Sequence, residues 1–207
     1  MRTIDPKRFK NVPFLYPTVD SLFQVSFTRA PGDPKDDPET NIHKYGCRFM
    51  CEMAMCQYIS KRKLKKVDIL DIYRKATTGQ LGADVMSTNC EVGGNEELLM
   101  KYALQTLKNN KNTIRQVMVK AVNAKTKDGK PEDDYNIKEW YSSSKTPGPN
   151  NVYFVIVDFN TSSGPDYGGH HFVLFNAIGE LIYDPSNGTV KSYKNVNRCL
   201  FYKVFNV

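Results

Sequence analysis

The chain has 207 residues, of which 40% are hydrophobic and 25% are charged, and its formal net charge is +7. This size and composition predict one globular domain and exclude two domains of ordinary size. No apolar run is long enough to span a bilayer, and no apolar core follows the basic first residues, so we expect neither a membrane span nor a secretory signal. The expected location is the cytoplasm, with release by cell lysis as an alternative.

Positive charge is densest at Lys61-Arg62-Lys63-Leu64-Lys65-Lys66, directly after the first predicted helix. Such a cluster either attracts an anionic partner, such as nucleic acid, a wall polymer or an acidic protein, or covers a solvated helix end. No interleaving of arginine with aromatic residues and no RNA-binding signature accompanies it. The sequence therefore favours the solvated helix end, and we do not expect nucleic acid as a partner.

Residues 1–41 form a proline-rich extension that leads into the rest of the chain and holds six of its eleven prolines. Partial alternation of apolar residues predicts a strand at Ser21–Phe27. The polar stretch Ala30–Thr40, with three prolines, predicts a loop.

Three helices are predicted after this extension. The first, Cys47–Lys61, carries apolar residues on most of its surface, so we expect it to be buried, and Gly46 lets the chain turn tightly onto it. The second runs over Asp68–Ala76, with Asp68 as candidate N-cap. The third begins after Asn95, which is expected to cap it.

The second half of the chain has strand patterns separated by polar loops, among them Lys125–Asp134 and Thr161–Gly169. An uninterrupted β-branched and aromatic run over Val152–Phe159 predicts a central strand. The other predicted strands are Ile114–Val122, His171–Ala177, Leu181–Tyr183, Thr189–Tyr193 and Cys199–Phe205.

Helices followed by an antiparallel sheet predict an α+β fold, with N-terminal helices packed on a C-terminal sheet. We expect a single domain over residues 1–207. It consists of the extension 1–41, a helical part 42–110 and a β-sheet part 111–207.

The five cysteines, an odd number, do not fit a disulfide framework. Cys47, Cys51 and Cys56 have no second metal-binding pair elsewhere in the chain, so we expect neither a metal site nor another cofactor. Mostly reduced thiols with one reactive member fit the pattern better. Cys47 is that candidate, because a helix N-terminus favours the thiolate, whereas Cys51 and Cys56 lie deeper among apolar residues.

A cysteine nucleophile needs a base, and the chain has three histidines. His171 opens an apolar strand, which would hold its ring rigidly, and two glycines precede the pair His170-His171. His170 is then expected to face the other way, although it stays a possible alternative. His43 lies on the segment entering the first helix and would be a poorly fixed base.

The base needs an orienting group, and Asp184 follows the next predicted strand, at the same end of the hairpin as His171. Asn176 and Asn187 are alternatives to it. An oxyanion hole needs the Cys47 N–H and a second donor, for which the side chain of Asn41, six positions earlier, is the candidate.

These residues resemble the papain-like cysteine peptidase superfamily, nearest to bacteriocin-processing (double-glycine) peptidases and their uncharacterised phage and spirochaete relatives. The family pattern is a cysteine that opens a helix, then histidine-aromatic-apolar-apolar, then Asp-Pro. Cys47, His171-Phe172-Val173-Leu174 and Tyr183-Asp184-Pro185 match it in order, and the match selects His171 over His170. Asn41 stands for the family's glutamine, and Arg48 follows the cysteine where many members have glycine.

The resemblance implies a cysteine-dependent hydrolase of peptide or amide bonds with a Cys-His-Asp triad, acting on a peptide, protein or peptidoglycan substrate. One alternative is a phage-type cell-wall amidase or endopeptidase, whose cysteine and histidine are usually closer in sequence than Cys47 and His171. Another is a catalytically degenerate peptidase fold that acts as a binding or effector protein.

Overall fold

A computed structural model describes residues 22–27, 37–121, 154–161, 170–176, 181–187 and 193–207. Within them four α-helices precede a five-stranded sheet, which confirms the α+β class and the predicted order of elements. The helices are Pro38–Tyr45 (α1), Cys47–Ser60 (α2), Lys66–Thr77 (α3) and Glu96–Thr106 (α4). The strands are Asn112–Ala121 (β1), Phe154–Thr161 (β2), His170–Asn176 (β3), Leu181–Tyr183 (β4) and Tyr193–Asn206 (β5).

The sheet has the strand order β1-β5-β2-β3-β4, and β2 pairs antiparallel with both β3 and β5. The predicted central strand is therefore confirmed in β2. Val155, Ile156 and Val157 of this strand are completely buried, so both faces of the sheet are covered there. The predicted strand residues 122, 152–153, 177 and 189–192, and the loops 125–134 and 162–169, lie outside the described residues.

The described part of the chain divides into two compact units. The helical unit consists of described residues within Thr18–Arg115 together with Val204–Val207. The sheet unit consists of described residues within Gln116–Lys203. The first division falls in β1, close to the predicted boundary between the parts 42–110 and 111–207.

Two predictions for the N-terminal part are wrong. Gln24–Ser26 form a turn of 3-10 helix and not a strand, because Ser26 closes the turn locally: its N–H donates to the Phe23 carbonyl and its hydroxyl accepts from the Phe23 N–H. The predicted loop Ala30–Thr40 is wrong at its end, because α1 begins at Pro38. Residues 30–36 of that loop, and Ser21 of the predicted strand, lie outside the described residues. Asp37 caps this helix by accepting from the Thr40 N–H at 2.8 Å, and Pro38 suits the first helical position.

The other three helices are confirmed, with changes at their caps. Helix α3 begins at Lys66, so the prediction of Asp68 as its N-cap is wrong. Asp68 is the third residue of the helix, and its carboxylate accepts a hydrogen bond from the N–H of the N-cap residue Lys65 at 2.7 Å. Asn95 is the N-cap residue of α4, but its side chain donates to the Ala83 carbonyl at 2.8 Å.

Helix α2 is buried on nearly all sides, as its composition predicts, and it carries a charge cluster in its first two turns. The Glu52 side chain is completely buried, and the Arg48 Nε lies 3.2 Å from its carboxylate. Arg48 also forms an ion pair with Glu96, the first residue of α4. This cluster holds the beginnings of α2 and α4 together, since a buried carboxylate is stable only when a positive charge accompanies it.

We expect Arg48→Met to lower the free energy of unfolding by about 3–5 kcal/mol, because it leaves the Glu52 carboxylate buried without its counter-charge. Urea unfolding followed by circular dichroism measures the loss. Arg115→Met is the matched control: its ion pair with Glu97 is exposed and is worth about 0–1 kcal/mol. Equal losses in the two variants would contradict the role given to the Arg48 cluster.

Candidate functional site

The structure brings His171 and Asp184 together. The His171 ring is completely buried on β3, and its Nε2 lies 2.8 Å from the Asp184 Oδ1. Strand β4 pairs antiparallel with β3 and ends at Tyr183, so the next residue returns toward the beginning of β3. Because a carboxylate only accepts hydrogen bonds, this contact places the ring hydrogen on Nε2.

Ser186, a residue with no predicted role, holds the Asp184 carboxylate in place. Its backbone N–H and its hydroxyl both donate to the Asp184 Oδ1, at 2.9 and 2.8 Å, and its side chain is buried. The motif Asp184-Pro185-Ser186 contains the signal for this arrangement, because an aspartate side chain often accepts from the backbone two residues later. Donors gathered on one carboxylate favour its ionised form.

The three alternatives, His170 for the base and Asn176 and Asn187 for the orienting group, make other contacts. The His170 Nδ1 is 3.1 Å from the Asp158 Oδ1, so this histidine has a carboxylate of its own. Asn176 pairs with Phe154 at the opposite end of β3 from His171. Asn187 follows Ser186 in the turn, and its N–H donates to the Asp184 carbonyl.

Cys47 is the first residue of α2, as predicted, and it is 7% exposed. The preceding Gly46 joins α1 to α2, and a Cβ atom at this position would lie 2.5 Å from the Ile42 carbonyl oxygen. Only glycine therefore permits this close junction, which fixes where the thiol sits at the helix start. Cys47 belongs to the helical unit and the His171–Asp184 pair to the sheet unit.

Asn41 lies in α1 and is buried, and its side-chain amide donates to the Tyr73 hydroxyl at 3.1 Å. That hydroxyl donates in turn to the Thr88 carbonyl at 2.6 Å. The amide therefore connects α1 with α3 and with the segment around residue 88, and its role as an oxyanion donor stays a prediction. His43 lies in α1 and not on a loop, and its Nδ1 is 2.7 Å from the Phe27 carbonyl.

All five cysteines are buried, and none of them forms a disulfide. Burial raises the pKa of the Cys56 thiol well above its ordinary value, and the charge of Glu52 adds to this effect. Burial also raises the pKa of the Cys90 thiol, with a smaller contribution from Cys47. Both side chains are therefore held as neutral thiols, which are poor nucleophiles.

Comparison with protein-family models, curated proteins and solved structures found no match. Within the described residues, no group of three histidine, cysteine, aspartate or glutamate side chains is placed to hold a metal ion. The helices in this part of the chain are all too short or too polar to cross a membrane. Any functional assignment therefore depends on the residues of the site.

We expect Asp184→Ala to lower the free energy of unfolding by about 1–3 kcal/mol, because the buried His171 ring loses the acceptor at Nε2. Ser186→Ala should cost less, about 0.5–1.5 kcal/mol, because it removes one hydrogen bond and keeps the backbone one. Thermal and urea unfolding measure both. Exposed Asn187→Gly is the control, because glycine tolerates the positive φ of 50° at this position, and a larger loss there than at Asp184 would contradict the arrangement.

We expect Cys56 and Cys90 to react with iodoacetamide at neutral pH only when the protein unfolds, because their pKa values are raised by burial. Mass spectrometry of peptides labelled with and without urea measures the protection of each thiol. Labelling of either residue in the native protein, at the rate seen in urea, would contradict the prediction.

Proposed function

We propose that the chain is a cysteine-dependent hydrolase of peptide or amide bonds, with the papain-like order of catalytic residues. In this proposal Cys47 is the nucleophile, His171 the base and Asp184 the orienting carboxylate. The observation that carries it is the buried His171 ring, whose Nε2 is held 2.8 Å from Asp184. Asp184 is itself fixed by Ser186, so the imidazole has a set orientation and a set tautomer.

The chemistry follows from that tautomer. With its hydrogen on Nε2, the ring takes a proton through Nδ1, so Nδ1 receives the proton of the Cys47 thiol. The thiolate attacks the carbonyl carbon, and the C–N bond breaks as the imidazolium returns the proton to the departing amine. A water molecule then gives a proton to His171 and hydrolyses the thioester, which releases the acid and restores the thiol.

The start of α2 supports the same assignment for Cys47. Backbone N–H groups in the first turn of a helix point away from the helix body, and they stabilise a thiolate or an oxyanion near it. In this proposal the Cys47 N–H is one oxyanion donor and the Asn41 amide is the second. Arg48, which follows the nucleophile, is committed to Glu52 and Glu96 and has a structural role.

The first test is labelling of the native protein with iodoacetamide at neutral pH, resolved by residue with mass spectrometry. We expect Cys47 to label fastest of the five thiols and His171→Ala to slow this labelling by about tenfold or more, because the imidazole stabilises the thiolate. His43→Gln is the control, since glutamine keeps a donor near the Phe27 carbonyl.

The outcome separates the candidate mechanisms. Loss of labelling in His170→Gln and not in His171→Ala would assign the base to His170 and contradict the proposal. Uniform labelling of all accessible thiols would contradict catalysis and favour a binding or effector protein. Each variant is checked by circular dichroism, because His171→Ala opens space in a buried site.

The second test is turnover. Libraries of fluorogenic peptides and purified peptidoglycan supply the two substrate classes, and we expect Cys47→Ala to lower kcat by at least about a thousandfold while the fold is kept. Cys199→Ala, a buried cysteine outside the proposed triad, is the matched control. Activity that survives in Cys47→Ala would rule out this nucleophile. Release of amines from peptidoglycan alone would assign the chain to the wall hydrolases.

A further inference from the structure

A second charged cluster lies within the sheet unit, on the face of β3 opposite to His171. It is centred on Asp158 of β2, whose direct cross-strand neighbours are Phe172 on β3 and Arg198 on β5. Three donor groups approach the Asp158 carboxylate. They are the Arg198 Nε at 3.0 Å, the His170 Nδ1 at 3.1 Å and the Asn197 Nδ2 at 3.4 Å.

A β-bulge in β5 builds this cluster. Asp158 pairs with Arg198 but Phe159 pairs with Val196, so Asn197 is an extra residue in β5. Successive side chains of a regular strand point to opposite faces, and only the bulge lets both Asn197 and Arg198 reach the same carboxylate. A bulge interrupts the ladder between two inner strands, and such irregularities are frequent beside functional sites.

The cluster combines one buried negative charge with two exposed donor side chains. The Asp158 side chain is only 3% exposed, whereas those of His170 and Arg198 are 56% and 47% exposed. The Arg198 guanidinium also lies over the Phe172 ring, 5.7 Å from its centroid. Asp158 and Phe172 thus restrain the guanidinium before any ligand arrives, which lowers the entropy lost on binding.

The outward atoms of Arg198 are donors. Arg198 uses Nε for Asp158, and among the residues that the structure describes no acceptor occupies its two Nη groups. The His170 Nδ1 also lies 2.9 Å from the Asn197 Nδ2. A carboxylate only accepts hydrogen bonds, so the contact with Asp158 places a ring hydrogen on the His170 Nδ1, and the exposed Nε2 carries a hydrogen only in the imidazolium form.

We propose that Arg198 and His170 form a binding site for an oxyanion, the carboxylate or phosphate group of a ligand. The planar guanidinium offers paired N–H donors that match the two oxygens of such a group, and the imidazolium form of His170 adds a third donor through its Nε2–H. Asp158 orients both side chains and does not contact the ligand. This site is independent of the proposed hydrolase triad, since it uses the other face of β3 and other residues.

The test titrates the full-length protein with inorganic phosphate and, separately, with acetate at constant ionic strength. Two-dimensional ¹H–¹⁵N NMR follows the Arg198 Nε–H signal in the unchanged protein and the backbone amide signals of His170 and Asn197 in all variants. We expect saturable shifts in the millimolar range and binding about tenfold weaker in Arg198→Gln, the loss of one charge-assisted contact. Tighter binding of acetate points to an acidic peptide as the source of the group, and tighter binding of phosphate points to a phosphorylated ligand.

Arg115→Gln is the matched control, because Arg115 also pairs with a carboxylate, Glu97, and lies over an aromatic ring, Phe205. It should leave the affinity unchanged. Arg198→Lys is the second variant, for the case that Arg198→Gln does not fold. Lysine keeps the positive charge beside Asp158 but lacks the paired N–H donors of the guanidinium, so it should also weaken binding. Absence of saturation with both anions, or equal affinity in Arg198→Lys and the unchanged protein, would overturn the proposal.

Discussion

The burial of helix α2 is the constraint on which the helical unit depends. A helix that is covered on nearly all sides has no solvated face for a charge, yet Glu52 lies in its middle with a completely buried side chain. Arg48, one turn earlier in the helix, supplies the positive charge that pairs with Glu52, and it also forms an ion pair with Glu96 on α4. The same turn carries Cys47, so the residues that stabilise the packing also fix the position of the proposed nucleophile.

In the sheet unit the alternation of side chains on β3 separates two neighbouring histidines. His171 is buried and held by Asp184, while His170 is exposed and held by Asp158. The two carboxylates differ in their surroundings: Ser186 supports Asp184, and an arginine and an asparagine accompany Asp158. One strand therefore presents two imidazoles in contrasting environments, one enclosed in the protein and one in contact with solvent.

Sequence patterns predicted the parts of the fold that depend on local periodicity. The apolar surface of α2 and the β-branched run of β2 identified a buried helix and a central strand, and the hairpin geometry placed Asp184 beside His171. The errors occurred where one side-chain hydrogen bond decides the local backbone. Asp37 caps a helix in a stretch rich in loop residues, and Ser26 closes a turn in a stretch that alternates like a strand.

The second charged cluster was beyond sequence reasoning for a different reason. A bulge depends on how two strands that are far apart in sequence pair with each other. No local sequence pattern around Asn197 indicates that it is an extra residue in the pairing. Asp158 lies inside an apolar run, where its partners come from β3 and β5. The role of Ser186 was easier to predict from sequence, because both partners of its hydrogen bond lie within the three-residue motif Asp-Pro-Ser.

The apolar residues of β3 leave its register with β2 weakly determined. After the two histidines, Phe172, Val173, Leu174 and Phe175 are all apolar, so a slip by one residue would still present apolar side chains to both faces. The charged partners remove this ambiguity, since in any slipped pairing at most one imidazole would meet a carboxylate. Asp158 lies on β2 and fixes the register of β3 against β2, whereas Asp184 follows β4 and fixes the register of β3 against β4. Misaligned pairing loses one of these contacts, a penalty that hydrophobic burial alone does not supply.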